Sequence, residues 1–126
     1  MRIKWIVVLL VILGMLPGWA GAASENDFEA NTTEQMLRLC TADPSDPLHA
    51  QAVNFCHGYL VGAYNYYRAL HSGPEAMRLV CMPDPAPSRN EAIGMFIDWA
   101  KARPQFWKEP PVESEFRFLT EKWPCK

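Results

Sequence analysis

"FCHGYLVGAYNYY", residues 55–67, decides the fold. The stretch reads as the middle of a buried helix, yet it holds two glycines four apart, Gly58 and Gly62. Each costs about 1 kcal/mol relative to alanine inside a helix. The flanks extend the helix in both directions. Asp46 can cap its start and Pro47 suits a first helical position. Gly73-Pro74 stops it at about Ser72. Such a helix is roughly 38 Å long and is expected to be the spine of the domain.

On a helical wheel, Asn54, His57, Val61, Asn65, Arg68 and Ser72 share a narrow polar stripe that should face water. Ala52, Cys56, Tyr59, Ala63, Tyr67 and Leu70 lie opposite and form the expected core face. Gln51, Phe55, Gly58, Gly62, Tyr66 and Ala69 make the shoulder between them. The two glycines form a flat notch on that shoulder, suited to the close approach of another backbone. The occupant is a neighbouring helix of the same chain, a second protomer or a partner chain. Gly58→Leu or Gly62→Leu is then expected to be severely destabilising.

Working outward, residues 24–30 are polar and acidic and read as a loose lead-in. A short helix is predicted at 33–40, with a capping box made by Thr32 and Gln35 or by Asn31 and Glu34. Residues 41–47 form a turn, 75–80 an irregular turn, and 82–87 a stiff proline-rich linker. Ser88 and Glu91 make a second capping box. A helix over 89–103 follows, with Ala92, Ile93, Phe96, Ile97 and Ala100 at helical spacing. Pro104 ends it, 105–111 is a connector, and a last helix at 111–122 buries some of Val112, Phe116 and Leu119. No repeat or strand pattern is visible. The predicted class is all-α, a compact four-helix domain.

The N-terminus predicts the compartment. Residues 1–4 are basic, 5–16 apolar, Pro17-Gly18 a break and Ala20-Gly21-Ala22 an A-x-A site, the pattern of a secretory leader spanning 1–22. The apolar run is too short for a membrane anchor, which needs about 20 residues. Cleavage after Ala22 or Ala23 leaves one domain over 23–126. Ten basic and fourteen acidic residues then remain, a net charge of −4. That balance has no footprint for nucleic acid or anionic lipid, and a protein is the expected macromolecular partner. With the leader removed, no membrane association is expected.

Cys40, Cys56, Cys81 and Cys125 form an even set in a small exported chain and read as two disulfides. Their spacings lack the close pairs of zinc sites. Cys40 and Cys56 flank a short helical hairpin, and the outer ends of the last two helices bring Cys81 to Cys125. The predicted pairs are therefore Cys40–Cys56 and Cys81–Cys125. No G-x-S-x-G, H-E-x-x-H or phosphate-binding glycine loop is present. The acidic residues, Glu115 among them, are explained by helix termini or solvated faces, so neither enzyme chemistry nor a metal or cofactor is expected. The aromatics exceed what so small a core absorbs. Tyr64, Tyr66, Phe106 and Trp107 are the candidate partner contacts, because tyrosine and tryptophan often anchor interfaces.

"LC" at 39–40, "CHGYLVG" at 56–62, "CMP" at 81–83 and "WPC" at 123–125 together resemble the Rap/Tai immunity proteins of type VI secretion systems. The likeness covers about 33–125, nearly the whole exported part. It implies a periplasmic all-α protein that neutralises a peptidoglycan amidase injected by rival or sister cells. Members bind the toxin and block its active site, and several are homodimers. The family's cysteine pattern falls on the four cysteines above, and its glycine pattern on Gly58 and Gly62. The connectors at 82–88 and 105–111 are the expected recognition loops, since stiff loops lose less entropy on docking. Two other classes fit an exported helical module: an acid-stress chaperone of the HdeA type, and a small envelope-assembly binding protein. Client binding at acid pH would separate the first.

Overall fold

The computed structural model describes residues 22–126. All of the predicted leader but Ala22 lies outside the described residues. Four α-helices follow in order: α1 (Thr33–Cys40), α2 (His49–Leu70), α3 (Arg89–Lys101) and α4 (Pro111–Lys122), with 3-10 turns at Glu25–Glu29 and Pro104–Phe106. Among the described residues there is no strand, only an isolated antiparallel bridge between Val80 and Pro124. The class is all-α.

Local chemistry sets the boundaries. The Gln35 amide donates to Thr32 Oγ1 at 3.2 Å, and the Thr32 amide donates back to Gln35 Oε1 at 3.1 Å. Gln35 Oε1 also accepts from the Asn31 amide, so Glu34 is not needed for that box. Ser88 and Glu91 reproduce the arrangement at α3. The start of α2 falls two residues later than expected. Residues 43–49 form consecutive turns, with Asp46 N bonded to Asp43 O and His49 N to Asp46 O, both 2.9 Å. The Asp46 carboxylate still serves the helix start, taking the Leu48 amide on Oδ1 at 2.8 Å and the Ala23 amide on Oδ2 at 3.0 Å.

Residues 24–30 are not loose. They form a 3-10 turn with its own Ser24–Asp27 capping box, ended by Ala30 in the left-handed region at φ 49°. Asp27 is buried and receives Arg38 Nε at 2.9 Å and Nη2 at 2.8 Å. Burial pushes this carboxyl up, but Arg38 and the Ser24 amide outweigh it and hold it below the usual range. Phe28 meets Phe55 edge-on at 5.4 Å.

The core is centred on the short α1, not on the long α2. Met36, Leu37 and Leu39 of α1 are buried, and α1 touches α2, α3 and α4. Of α2, only Ala52, Cys56 and Leu60 are fully buried. Its last turn runs past the core: Leu70, expected inside, is 61 % exposed. From α3 come Ile93, Phe96, Trp99 and Ala100, and from α4 Phe118 and Leu119. Of the three residues expected to be buried on α4, Leu119 is buried in the core. Pro111, Ser114, Glu115, Phe118 and Leu119 point in, while Val112 is exposed and Phe116 half-buried. Thr33 ties down the inward face of α4: its hydroxyl donates to Ser114 Oγ at 2.7 Å and lies 3.0 Å from the Glu109 carbonyl.

The 104–110 connector closes this core. The first amides of α1 lack partners within their own helix. Thr33 N donates to Glu109 O at 2.8 Å and Glu34 N to Trp107 O at 3.0 Å, so the connector supplies them. Both predicted disulfides form, Cys40–Cys56 and Cys81–Cys125, with Cα separations of 5.2 and 4.9 Å.

Candidate partner-binding face

A cleft of about 960 Å³ opens between the second half of α2, the segment after it, the start of α3 and the inner face of α4. Its construction begins at Tyr67. The Tyr67 hydroxyl accepts from the amides of Leu79 at 2.8 Å and Val80 at 3.0 Å, pinning the returning chain against α2. The ring stacks on His71 at 4.4 Å and leans on Phe116 at 5.1 Å. Farther on, Cys81 N bonds to Trp123 O at 2.8 Å, Cys125 N to Leu79 O at 3.3 Å, and the Cys81–Cys125 disulfide locks the pairing. The wall is thus held by three independent fasteners. The interior is apolar, with Leu60, Ile93, Phe96 and Phe118 among its lining side chains.

Two features break that apolar character. Arg68, Arg78 and Arg89 line the cleft from three different segments. All three are exposed, and none has an ion pair among the described residues. Arg68 only lies over the Tyr64 ring, 6.0 Å from its centre. The second feature is Glu115. It is 5 % exposed, and its Oε2 has no hydrogen-bond partner. Burial alone pushes its pKa up to about 8, so the side chain is a neutral acid at pH 7. The expectation that solvation or helix termini explain this residue was wrong, because it lies on the inward face of α4. It is also the one carboxylate among the described lining residues.

The four expected partner contacts divide. Tyr64 lines the cleft, half-buried and stacked on Tyr67 at 6.3 Å. Tyr66 is 68 % exposed on the same end of α2. Phe106 and Trp107 lie elsewhere and serve internal packing. Phe106 stacks on Trp99 at 5.6 Å with Arg117 over its ring, and Trp107 Nε1 donates to Ala100 O at 2.9 Å. Of the two connectors, Met82, Ala86 and Pro87 of the first line the cleft.

Sequence reasoning missed two further apolar residues here. Met77 is 77 % exposed and Leu79 is exposed too, so with Tyr66 and Leu70 this part of the chain carries most of the large exposed hydrophobics. Met77 and Leu79, in a short segment between Gly73 and Cys81 with no helical period to bury them, were the available signal.

The neighbouring helix expected over the glycine notch is absent. Gly58 and Gly62 are exposed, and a Cβ built on either meets nothing within 4 Å. Cys56 and Leu60 set the buried face of α2, and the other helices pack there, leaving the notch open. His57, expected in water, is half-buried. His49 and His71 each face a backbone carbonyl through Nδ1, at 2.9 and 2.8 Å. Among the described residues no cluster of His, Cys, Asp and Glu could hold a metal ion, and no helix is long and apolar enough to cross a membrane.

No curated protein and no solved structure matches the chain. A family model does. The model of the Rap1a immunity proteins matches residues 32–125, from the cap of α1 to the last cysteine, so its span takes in all four helices, both disulfides and the cleft. A match over this much of the sequence assigns the chain: it belongs to the Rap1a immunity protein family.

Proposed function

We propose that the protein is exported to the periplasm, loses its leader after Ala22, and there binds and blocks a peptidoglycan amidase effector delivered by type VI secretion. The family supports an immunity role and a protein partner. The two disulfides, with no cysteine left free among the described residues, suit an oxidising compartment. The observation that carries the reading is the family match over 32–125. The build of the molecule agrees with it. A scaffold stapled at both ends presents preformed aromatic and apolar anchors, which lowers the entropic cost of docking.

The test uses a purified type VI amidase effector. The mature protein is mixed with purified amidase, and cleavage of cell-wall sacculi is followed. A stoichiometric complex that abolishes cleavage supports the proposal. No complex at micromolar concentration, together with protection of unfolded clients at pH 3, would transfer the chain to the acid-chaperone class. N-terminal sequencing of periplasmic material checks export, with Ala23 as the expected first residue.

A further inference from the structure

The cleft has a chemical bias that the family assignment does not explain. Residues 23–126 carry a net charge of −4, yet the described cleft lining holds three arginines and a single, buried acid. The ion pairs among the described residues involve other cations: Arg38, Arg103, Lys108 and Arg117 each meet a carboxylate. Arg68, Arg78 and Arg89 have no carboxylate partner among the described residues, and their exposed donors are open to a partner. Glu115 adds to the same bias from inside. A buried carboxyl with a raised pKa holds its proton, and a protonated carboxyl offers one O–H donor. A buried polar atom with no partner is costly unless a ligand or water completes it. The unsatisfied groups of the cleft are thus dominated by donors, set in an apolar wall.

The matching occupant is rich in acceptors and apolar at its tip. Guanidinium groups bind carboxylates through paired, charge-assisted hydrogen bonds. An aliphatic or aromatic tip fills the space among Leu60, Ile93 and Phe118. A basic segment is disfavoured by the three arginines, and an uncharged one leaves them unpaired.

We infer that the cleft receives an acidic, apolar-tipped segment of the effector, its carboxylate held by Arg68, Arg78 and Arg89 and an inner acceptor bonded by Glu115. This rests on the immunity reading above and specifies which face of the molecule carries it out. Tyr66, Leu70, Met77 and Leu79 then form the apolar surround of the contact.

The experiment measures the affinity of the same purified amidase for four forms: wild type, the triple variant Arg68→Glu/Arg78→Glu/Arg89→Glu, Glu115→Leu and Glu115→Gln. Thermal melting confirms that each is folded. The triple variant is expected to lose at least 100-fold in affinity. Glu115→Leu is expected to melt higher than wild type and yet bind about tenfold more weakly, which separates loss of the donor from loss of structure. Glu115→Gln keeps an N–H donor and should stay within threefold. Raising salt from 50 to 500 mM should weaken wild type and strengthen the triple variant, whose glutamates repel the acidic segment. If wild type binds and the triple variant binds within threefold, the inference is overturned and the immunity reading stands. If wild type itself fails to bind, both fall.

Discussion

Glu115 makes the stability of this protein fall as pH rises, and the size of the fall can be worked out. The group titrates near the ordinary glutamate value of 4.5 when unfolded and at about 8 when folded. Between those values the native state holds a proton that the unfolded chain has released. The unfolded state therefore binds fewer protons, and stability must decrease with pH. The contribution is intact below pH 4.5, declines through pH 8 and is then flat. One pKa unit corresponds to 1.36 kcal/mol, so the whole span is about 5 kcal/mol, with roughly 3 kcal/mol already gone at pH 7. For a domain whose total stability is of order 5–15 kcal/mol, this is a large share. Asp27, Glu34, Asp43 and Glu91 are all held below their usual range, so their contributions act in the opposite sense and are lost only as the solution becomes acid. The two windows do not overlap. The assay is urea unfolding at pH 5, 7 and 9 for wild type and Glu115→Gln, which keeps the shape and removes the titration. Subtracting the two profiles cancels every other titrating group. The difference should change by about 4 kcal/mol between pH 5 and pH 9, with wild type losing ground. Parallel profiles would show that Glu115 is ionised or hydrated in the native state, and the case for a donor inside the cleft would go with it.

Gly58→Ala should stabilise the domain by about 0.5–1 kcal/mol, because the helix gains propensity and the new methyl meets nothing; a lowered melting temperature in the isolated monomer would contradict the open notch. Replacing Cys81 and Cys125 by Ser opens a loop of 44 residues and should cost about 4 kcal/mol in urea unfolding, against about 3 kcal/mol for the Cys40/Cys56 pair, whose separation is 16. Arg38→Ala strips the buried Asp27 carboxylate of its counter-charge and should cost about 3 kcal/mol at pH 7, with much of the loss recovered at pH 3 as Asp27 protonates.

What could be read in advance followed from local chemistry. The cap at Thr32 and the proline at position 111 placed the starts of α1 and α4 correctly, since both act within a few residues of themselves. The disulfide pairing followed from hairpin topology. The misreadings share a different origin. Val112, Phe116 and Leu119 define an apolar stripe of which Leu119 is buried, but the inward Ser114 and Glu115 lie off that stripe, with Ser114 bonded to the Thr33 hydroxyl 81 residues away. Phe106 and Trp107 sit in a proline-rich loop that also supplies carbonyl partners to α1, and both rings are half-buried against the core. Gly58 and Gly62 suggested a tight crossing, but which side of a long helix is covered depends on where the short α1 sits. The cleft itself combines residues 60–119 from four segments, and no pattern within one segment announces it.

The contact between Ala23 and Asp46 has a bearing on maturation. Ala23 is buried, and its nitrogen lies 3.0 Å from Asp46 Oδ2. While the leader is attached, that nitrogen is a neutral amide. In a chain cut after Ala22 it is the first atom, a protonated amine, and the same contact becomes a charge-assisted bond roughly twice as strong. A chain cut one residue later has no amine at that spot. Under the cleavage proposed above, the cut would therefore fasten the lead-in to the entrance of α2, and the mature molecule would differ from the uncut chain by one ammonium group in a place already shaped for it.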